Sequence, residues 1–378
     1  MDSTIELALS LLSPPGDTLI EHIEYIGMSQ AELAERMGRP KEKINDIIKG
    51  KEPISMRTAF QLEKVLGVPA SFWLNRESSY RRELHELKQQ AEFAQHEAWA
   101  NSFPLRAMVK LGWLPEANET HLVLDNLLKF FAIASPQEWH RLYLGGGSSV
   151  SFKASLAGTA NPFALSAWLR EGEIQASEMD CEPFDSRRFS EALGEVKELA
   201  FRMPEDFGTQ LRDICARCGV AVVSSPNLPE APISGAARWY HNKPLIQLSD
   251  RFSTDDHFWL TFFQLAAHIV LHGKKLVFLE EVKGFENDAL KEGEAKDFAA
   301  QKLLSVKHWR EITASAPLSE PLIEAFAMKF RTPPAIIVER LQHDKLIPFT
   351  MGNRFKRKMG PFRQRSGSTP PLATSPRP

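Results

Sequence analysis

Cysteine is scarce in this chain: Cys181, Cys215 and Cys218 are the only three in 378 residues. So few thiols exclude a disulfide-stapled secreted fold and fit a reducing compartment. An excess of charge is lacking too. The formal net charge is -2, so nothing global draws the chain to nucleic acid or an anionic membrane, and any basic surface must be local. No apolar run approaches the length of a bilayer span, and the first residues lack the pattern of a secretory signal. A cytoplasmic protein with no membrane partner is therefore expected. What is present is ordinary for a globular protein, 43% hydrophobic and 25% charged residues, with length enough for two or three domains.

Two of the cysteines form Cys215-Ala-Arg-Cys218, formally a C-x-x-C. The pair lies inside a helical pattern at 207–217, with no second ligand pair close by in sequence. Two small residues packing on a helix outweigh a zinc or redox role.

Along the chain, residues 16–80 read as a compact helical module, followed by a charged helical stretch at 77–97. Residues 98–188 are helix-rich but punctuated by Pro104, Pro115, Pro136 and Pro162, with a glycine-serine loop at 145–149. A clear helical pattern at 189–218 then gives way to three short strand candidates, 220–223, 235–239 and 244–248. Helices are expected around His268, at 292–304, at 320–330 and at 334–342. The Ser/Thr/Pro-rich end reads as disordered.

Residues 29–50, SQAELAERMGRPKEKINDIIKG, have the spacing of two helices joined by a tight turn. Ser29 can cap the first helix by accepting from a free backbone N–H. Ala34 is small where helices must cross closely, Gly38 gives the turn a permissive backbone, and Pro40 pre-sets φ near the start of the second helix. Ile44, Ile47 and Ile48 would bury that helix against Leu33 and Met37. Its other face carries Lys41, Glu42, Lys43, Asn45 and Asp46, placed to enter a major groove. Arg36, Arg39, Lys41, Lys43, Lys49, Lys51 and Arg57 surround it and can hold phosphates whatever the base sequence. Asn45 suits adenine, and Lys41 or Lys43 suits guanine. The residues expected on DNA are Gln30, Arg39, Lys41, Glu42, Lys43, Asn45 and Lys49. The bland alternative, a solvated amphipathic helix pair, is disfavoured by the coincidence of cap, small residue, glycine and apolar spacing.

Residues 16–73 as a whole resemble the lambda-repressor-like (Xre/Cro) helix-turn-helix, in particular its HigA antitoxin branch. The more specific matches are Gly38-Arg-Pro40, the run INDIIKGK at 44–51, TAFQLEKVLG at 58–67 and the closing Phe72-Trp73. The resemblance implies operator binding as a homodimer, autorepression, and pairing with a RelE-like toxin.

Residues 258–273, FWLTFFQLAAHIVLHG, resemble the helix of an ImmA/IrrE-type metallopeptidase whose chemistry has been edited out. With EAKDFAA at 294–300 and RLQHDKLIP at 340–348, the resemblance covers about 189–358. In that family an H-E-x-x-H helix and a following glutamate hold zinc. His268 and Glu294 match two of the three ligand positions, whereas Gln264 replaces the first histidine and Leu265 the general-base glutamate. Gln264 could offer only a neutral amide oxygen, and Leu265 can accept no proton. Losing a general base alone costs on the order of a hundred- to ten-thousand-fold in rate. The site is therefore expected to be vestigial, with no catalytic residue and no cofactor. In the competing arrangement zinc sits one turn further along, on His268, His272 and Glu294. His272 is more simply a helix-end residue against the last carbonyls.

Residues 353–359 with Arg363 and Arg365 form a basic patch interleaved with Phe355 and Phe362, suited to DNA beside an operator or to a solvated end.

The expected protein is mainly α (α+β). A helix-turn-helix domain at 1–80 is joined by a helical linker at 81–188 to a zincin-like, ImmA/IrrE-peptidase-like domain with a small sheet at 189–359, and a tail follows at 360–378. Its expected role is a sequence-specific, HigA-like transcriptional regulator or antitoxin acting on double-stranded operator DNA. Two other classes compete: a working ImmA/IrrE-type zinc metallopeptidase that cleaves a repressor, and an interaction protein whose inert cleft holds a toxin or peptide.

Overall fold

The computed structural model describes residues 3–93, 96–145, 156–275, 277–285, 288–315 and 317–359. Apart from Gly145, the loop expected at 145–149 lies outside the described residues, as does the tail expected at 360–378. The architecture is mainly helical with one small sheet, as the sequence predicts. No described helix is long and apolar enough to cross a membrane.

The chain divides into two compact units, Met1–Ala100 with Ala117–Asp125, and Asn101–Glu116 with Asn126–Pro378. The first unit begins with α1 (Ser3–Leu11), α2 (Pro15–Tyr25), α3 (Gln30–Met37), α4 (Lys41–Ile48), α5 (Met56–Leu66) and α6 (Ala70–Phe93). In chain order α7 (Glu97–Asn101), α8 (Leu105–Lys110), α9 (Thr120–Phe131) and α10 (Pro136–Trp139) follow. Apolar residues spaced three and four apart put one stripe of each helix from α2 to α6 into a common core, from Leu19 of α2 through Leu33, Ile44 and Leu62 to Trp73 of α6. The contact between α2 and α4 is unusually close. A Cβ on Gly16 would stand 1.9 Å from the carbonyl oxygen of Ile48, so only glycine allows α2 to approach the end of α4 so closely.

In the second unit the sheet has the order β1 (Ala221–Ser224), β3 (Lys243–Leu248), β2 (Gly235–Tyr240), β4 (Phe278–Glu280). β1 runs parallel to β3, and β2 is antiparallel to both β3 and β4. The three expected strands are present, each within a residue or two of its predicted limits. β4 is an addition. Alternation along the strands sorts side chains to two layers. Val222, Ile246 and Leu248 join the core built on α14 (Asp255–Leu271), while Ala221, Val223 and Leu245 pack with Ala176 of α11 (Pro162–Ser177). α11 falls in the stretch read from sequence as spacer, and it is pinned to the sheet. Trp168 Nε1 donates to the Ser225 carbonyl at 3.0 Å, and Gln247 Nε2 to the Trp168 carbonyl at 2.7 Å. α12 (Ser186–Arg202) and α15 (Ala289–Leu303) pack against α14, and α13 (Phe207–Ala216) packs against α12 and β1. The helices expected near the end are α17 (Glu320–Phe330) and α18 (Pro334–His343), preceded by the unanticipated α16 (Val306–Ala314).

Candidate functional site

In the first unit, α3 and α4 are held by local devices that the sequence announces. Ser29 Oγ accepts from the Glu32 amide at 3.1 Å, capping α3. Gly38 ends it with φ +63, and the amides of Gly38 and Arg39 return to the carbonyls of Glu35 and Ala34 at 3.0 and 2.9 Å. That pairing satisfies the last carbonyls of α3 and turns the chain directly into α4. Pro40 sits at the cap of α4, extended at φ -59 and ψ 143. Ile44, Ile47 and Ile48 are buried against Leu33 and Met37.

The face left outside carries Lys41, Glu42 and Lys43 in its first turn and Lys49 at its end, all exposed, with Asn45 and Asp46 half-buried between them. Gln30 is half-buried at the start of α3. Arg39 is already in use: its Nε donates to Gln61 Oε1 at 2.8 Å, and Gln61 Nε2 donates to the Met37 carbonyl at 3.0 Å. The guanidinium therefore braces the turn from α5. Lys43 pairs with Glu52 at 2.7 Å, and that hydrogen bond raises the lysine pKa above its ordinary value. Arg36 pairs with Glu32 at 2.6 Å.

Residues 26–73 match the helix-turn-helix family. This segment is a helix-turn-helix domain. The chain is also similar to two solved structures. One is an addiction module antidote protein of a HigA family from Coxiella burnetii, 28% identical, with a TM-score of 0.20, covering 21% of this chain and 89% of that one. The other is described as an antidote protein of a plasmid maintenance system from Nostoc punctiforme, 25% identical, with a TM-score of 0.21 and the same two coverages. No curated protein matches the chain.

The second unit gathers the histidines and carboxylates singled out in sequence, with a different partition. Leu265 is fully enclosed in the core, and its Cδ1 occupies the space a Cβ on Gly235 of β2 would need, at 2.6 Å. Gln264 is half-buried on α14. His268 is 1% exposed and its ring stacks on Phe278 of β4, with centroids 3.6 Å apart. Its Nδ1 lies 2.9 Å from Nδ1 of His272, whose Nε2 lies 2.9 Å from Glu294 Oε2. The His272 ring thus bonds His268 and Glu294 rather than the helix-end carbonyls expected from its position.

The carboxylate that reaches His268 is Glu292, with Oε1 3.3 Å from Nε2. Glu294 serves His272 instead. The helical period explains the exchange: Ala295, Ala299 and Leu303 form the buried stripe of α15, and Glu292 extends that stripe at i-3 whereas Glu294 falls off it. A donor atom of Glu280, on β4, lies within 4.8 Å of those of His268 and Glu292. Burial pushes the His268 imidazole down, with Glu292 opposing. Burial, reinforced by the charge of Glu292, pushes the Glu280 carboxyl up to about 7. Nothing in the local sequence pattern marks Glu280, because a three-residue strand is too short to carry a period.

Cys215 and Cys218 are both buried, and desolvation raises both thiols. Within the basic patch, Arg354 pairs with Glu320 at 2.7 Å and Lys356 with Asp256 at 3.0 Å. Those two cations serve the second unit's own packing, while Phe362, Arg363 and Arg365 lie outside the described residues.

Proposed function

We propose that this chain is a sequence-specific DNA-binding transcriptional regulator, a HigA-like autorepressor or antitoxin that acts in the cytoplasm as a homodimer on double-stranded operator DNA. The observation that carries the reading is the exposed face of α4, presented by a capped, glycine-turned helix pair of the helix-turn-helix family. Lys41, Lys43 and Asn45 supply donors for base edges, and Lys49 and its basic neighbours supply phosphate contacts. A footprint on the DNA upstream of the chain's own gene tests this. The double substitution Lys41→Ala with Asn45→Ala is expected to lose specific protection and keep weak general binding. A footprint unchanged by that substitution removes the proposal.

The second unit is read as a peptidase-like scaffold that hydrolyses nothing and serves dimerisation or the binding of a partner such as a RelE-like toxin. Support comes from position 265. A working metallopeptidase needs a proton acceptor beside the metal-bound water, and Leu265 is an enclosed hydrocarbon.

A further inference from the structure

Three buried polar atoms face one another without hydrogen-bond partners: His268 Nε2, Glu280 Oε1 and Glu292 Oε1. They come from three separate elements, α14, β4 and α15. His268 Nε2 stands 3.3 Å from Glu292 Oε1. On its other side the ring is held through Nδ1, 2.9 Å from Nδ1 of His272, whose Nε2 lies 2.9 Å from Glu294 Oε2. Polar atoms crowded in a buried space without partners are costly unless a proton or a metal ion stands between them. Lys296, whose charge acts on Glu280, is solvent-exposed and makes no hydrogen bond to these three atoms.

We propose that His268, Glu280 and Glu292 bind one divalent first-row transition ion, with His272 and Glu294 orienting the imidazole from behind. The 3.3 Å separation of His268 Nε2 and Glu292 Oε1 matches the edge of a tetrahedron built on metal–ligand bonds of about 2.0–2.2 Å. One neutral imidazole and two carboxylates balance a doubly charged ion. A mixed nitrogen and oxygen set without thiolate suits zinc or manganese rather than a soft monovalent ion. Glu280 stands in for the ligand that Gln264 cannot supply. With Leu265 closed into the core, the bound ion ties α14, β4 and α15 together and takes no part in hydrolysis. The inference is independent of DNA binding by the first unit.

The test uses the full chain, stripped with chelator and titrated with Zn²⁺ by calorimetry, with the melting temperature as a second readout. One equivalent is expected to bind and to raise the melting temperature. Glu280→Gln and Glu292→Gln should each weaken binding by more than about tenfold, and Glu294→Gln by about 10–100-fold with unchanged stoichiometry. Gln264→Ala and the double variant Cys215→Ser with Cys218→Ser should bind as the parent does. The near-isosteric glutamine variants keep the stripped protein's melt comparable with the parent's, so a loss of affinity is distinguishable from a loss of fold. No zinc uptake by the parent, uptake indifferent to Glu280→Gln, or uptake abolished by Gln264→Ala or by the cysteine variant would each overturn the ligand set. A DNA footprint retained by Glu280→Gln would separate this outcome from any failure of the regulator reading.

Discussion

On α11 the Glu171 carboxyl is pushed up to about 7, first by burial, with the Gln175 hydrogen bond opposing, Glu178 adding and Arg170 opposing. The folded form therefore holds its proton more tightly than the unfolded chain, whose glutamates titrate near 4.5. The sign follows: the contribution to stability is complete below pH 4.5 and is lost as pH rises through about 7. Glu171→Gln removes the dependence. The variant is expected to match the parent at pH 4 and to exceed it by on the order of 1–3 kcal/mol at pH 8, measured by urea denaturation. Equal stabilities at pH 8 would contradict the assignment. Nothing in the sequence marks Glu171, because its shift comes from the sheet packed under α11. The exposed residues of α4 were legible because they are what remains of an amphipathic helix once Ile44, Ile47 and Ile48 are assigned to the core. Glu292 was legible in principle, since it continues the alanine stripe of α15.

Two glycines of the first unit separate a cost of conformation from a cost of space. At Gly38 a Cβ would meet nothing within 4 Å, so alanine there pays only for φ +63. That is about 1–2 kcal/mol. At Gly16 the added carbon would meet the backbone of Ile48 at 1.9 Å, and α2 must move. Gly16→Ala is expected to cost about 3 kcal/mol or more and to weaken DNA binding with it, by guanidinium denaturation and gel shift. The reverse order of the two variants would show that the packing of α2 on α4 is looser than described. Among elements, those with strong periodicity or punctuation were legible: three strands between proline and glycine turns, and α17 and α18, each opened by a proline in its first turn. β4 escaped for want of length. α16 escaped because its nine residues carry only Val306, Trp309 and Ile312 to mark a period, and of the three only Ile312 is fully buried.

The molecule has separate cores, one running from Leu19 to Trp73 and another around α14 and the sheet. A chain ending at Phe93 retains every residue of the first. It is expected to melt cooperatively by far-ultraviolet circular dichroism, and a broad, featureless melt would mean that this core depends on Ala117–Asp125. The sheet within the second unit was visible in the change of period from 3.6 to 2 near residue 219. The place of α11 was not, because its contacts with β1 and β3 lie about fifty to eighty residues away in sequence and leave no local signature.

Lys43 and Arg36 carry their own carboxylates, Glu52 and Glu32, into any encounter with a duplex. A phosphate arriving at either side chain displaces a glutamate of the same molecule and takes over a charge that was already balanced. Of the seven basic residues around α4, about five then contribute to the release of condensed counterions, a logarithmic salt slope of about -4.5 per bound domain instead of about -6.3. Under the proposed reading, affinity for bulk DNA is correspondingly muted, and a larger share of discrimination falls to the α4 donors proposed to reach base edges.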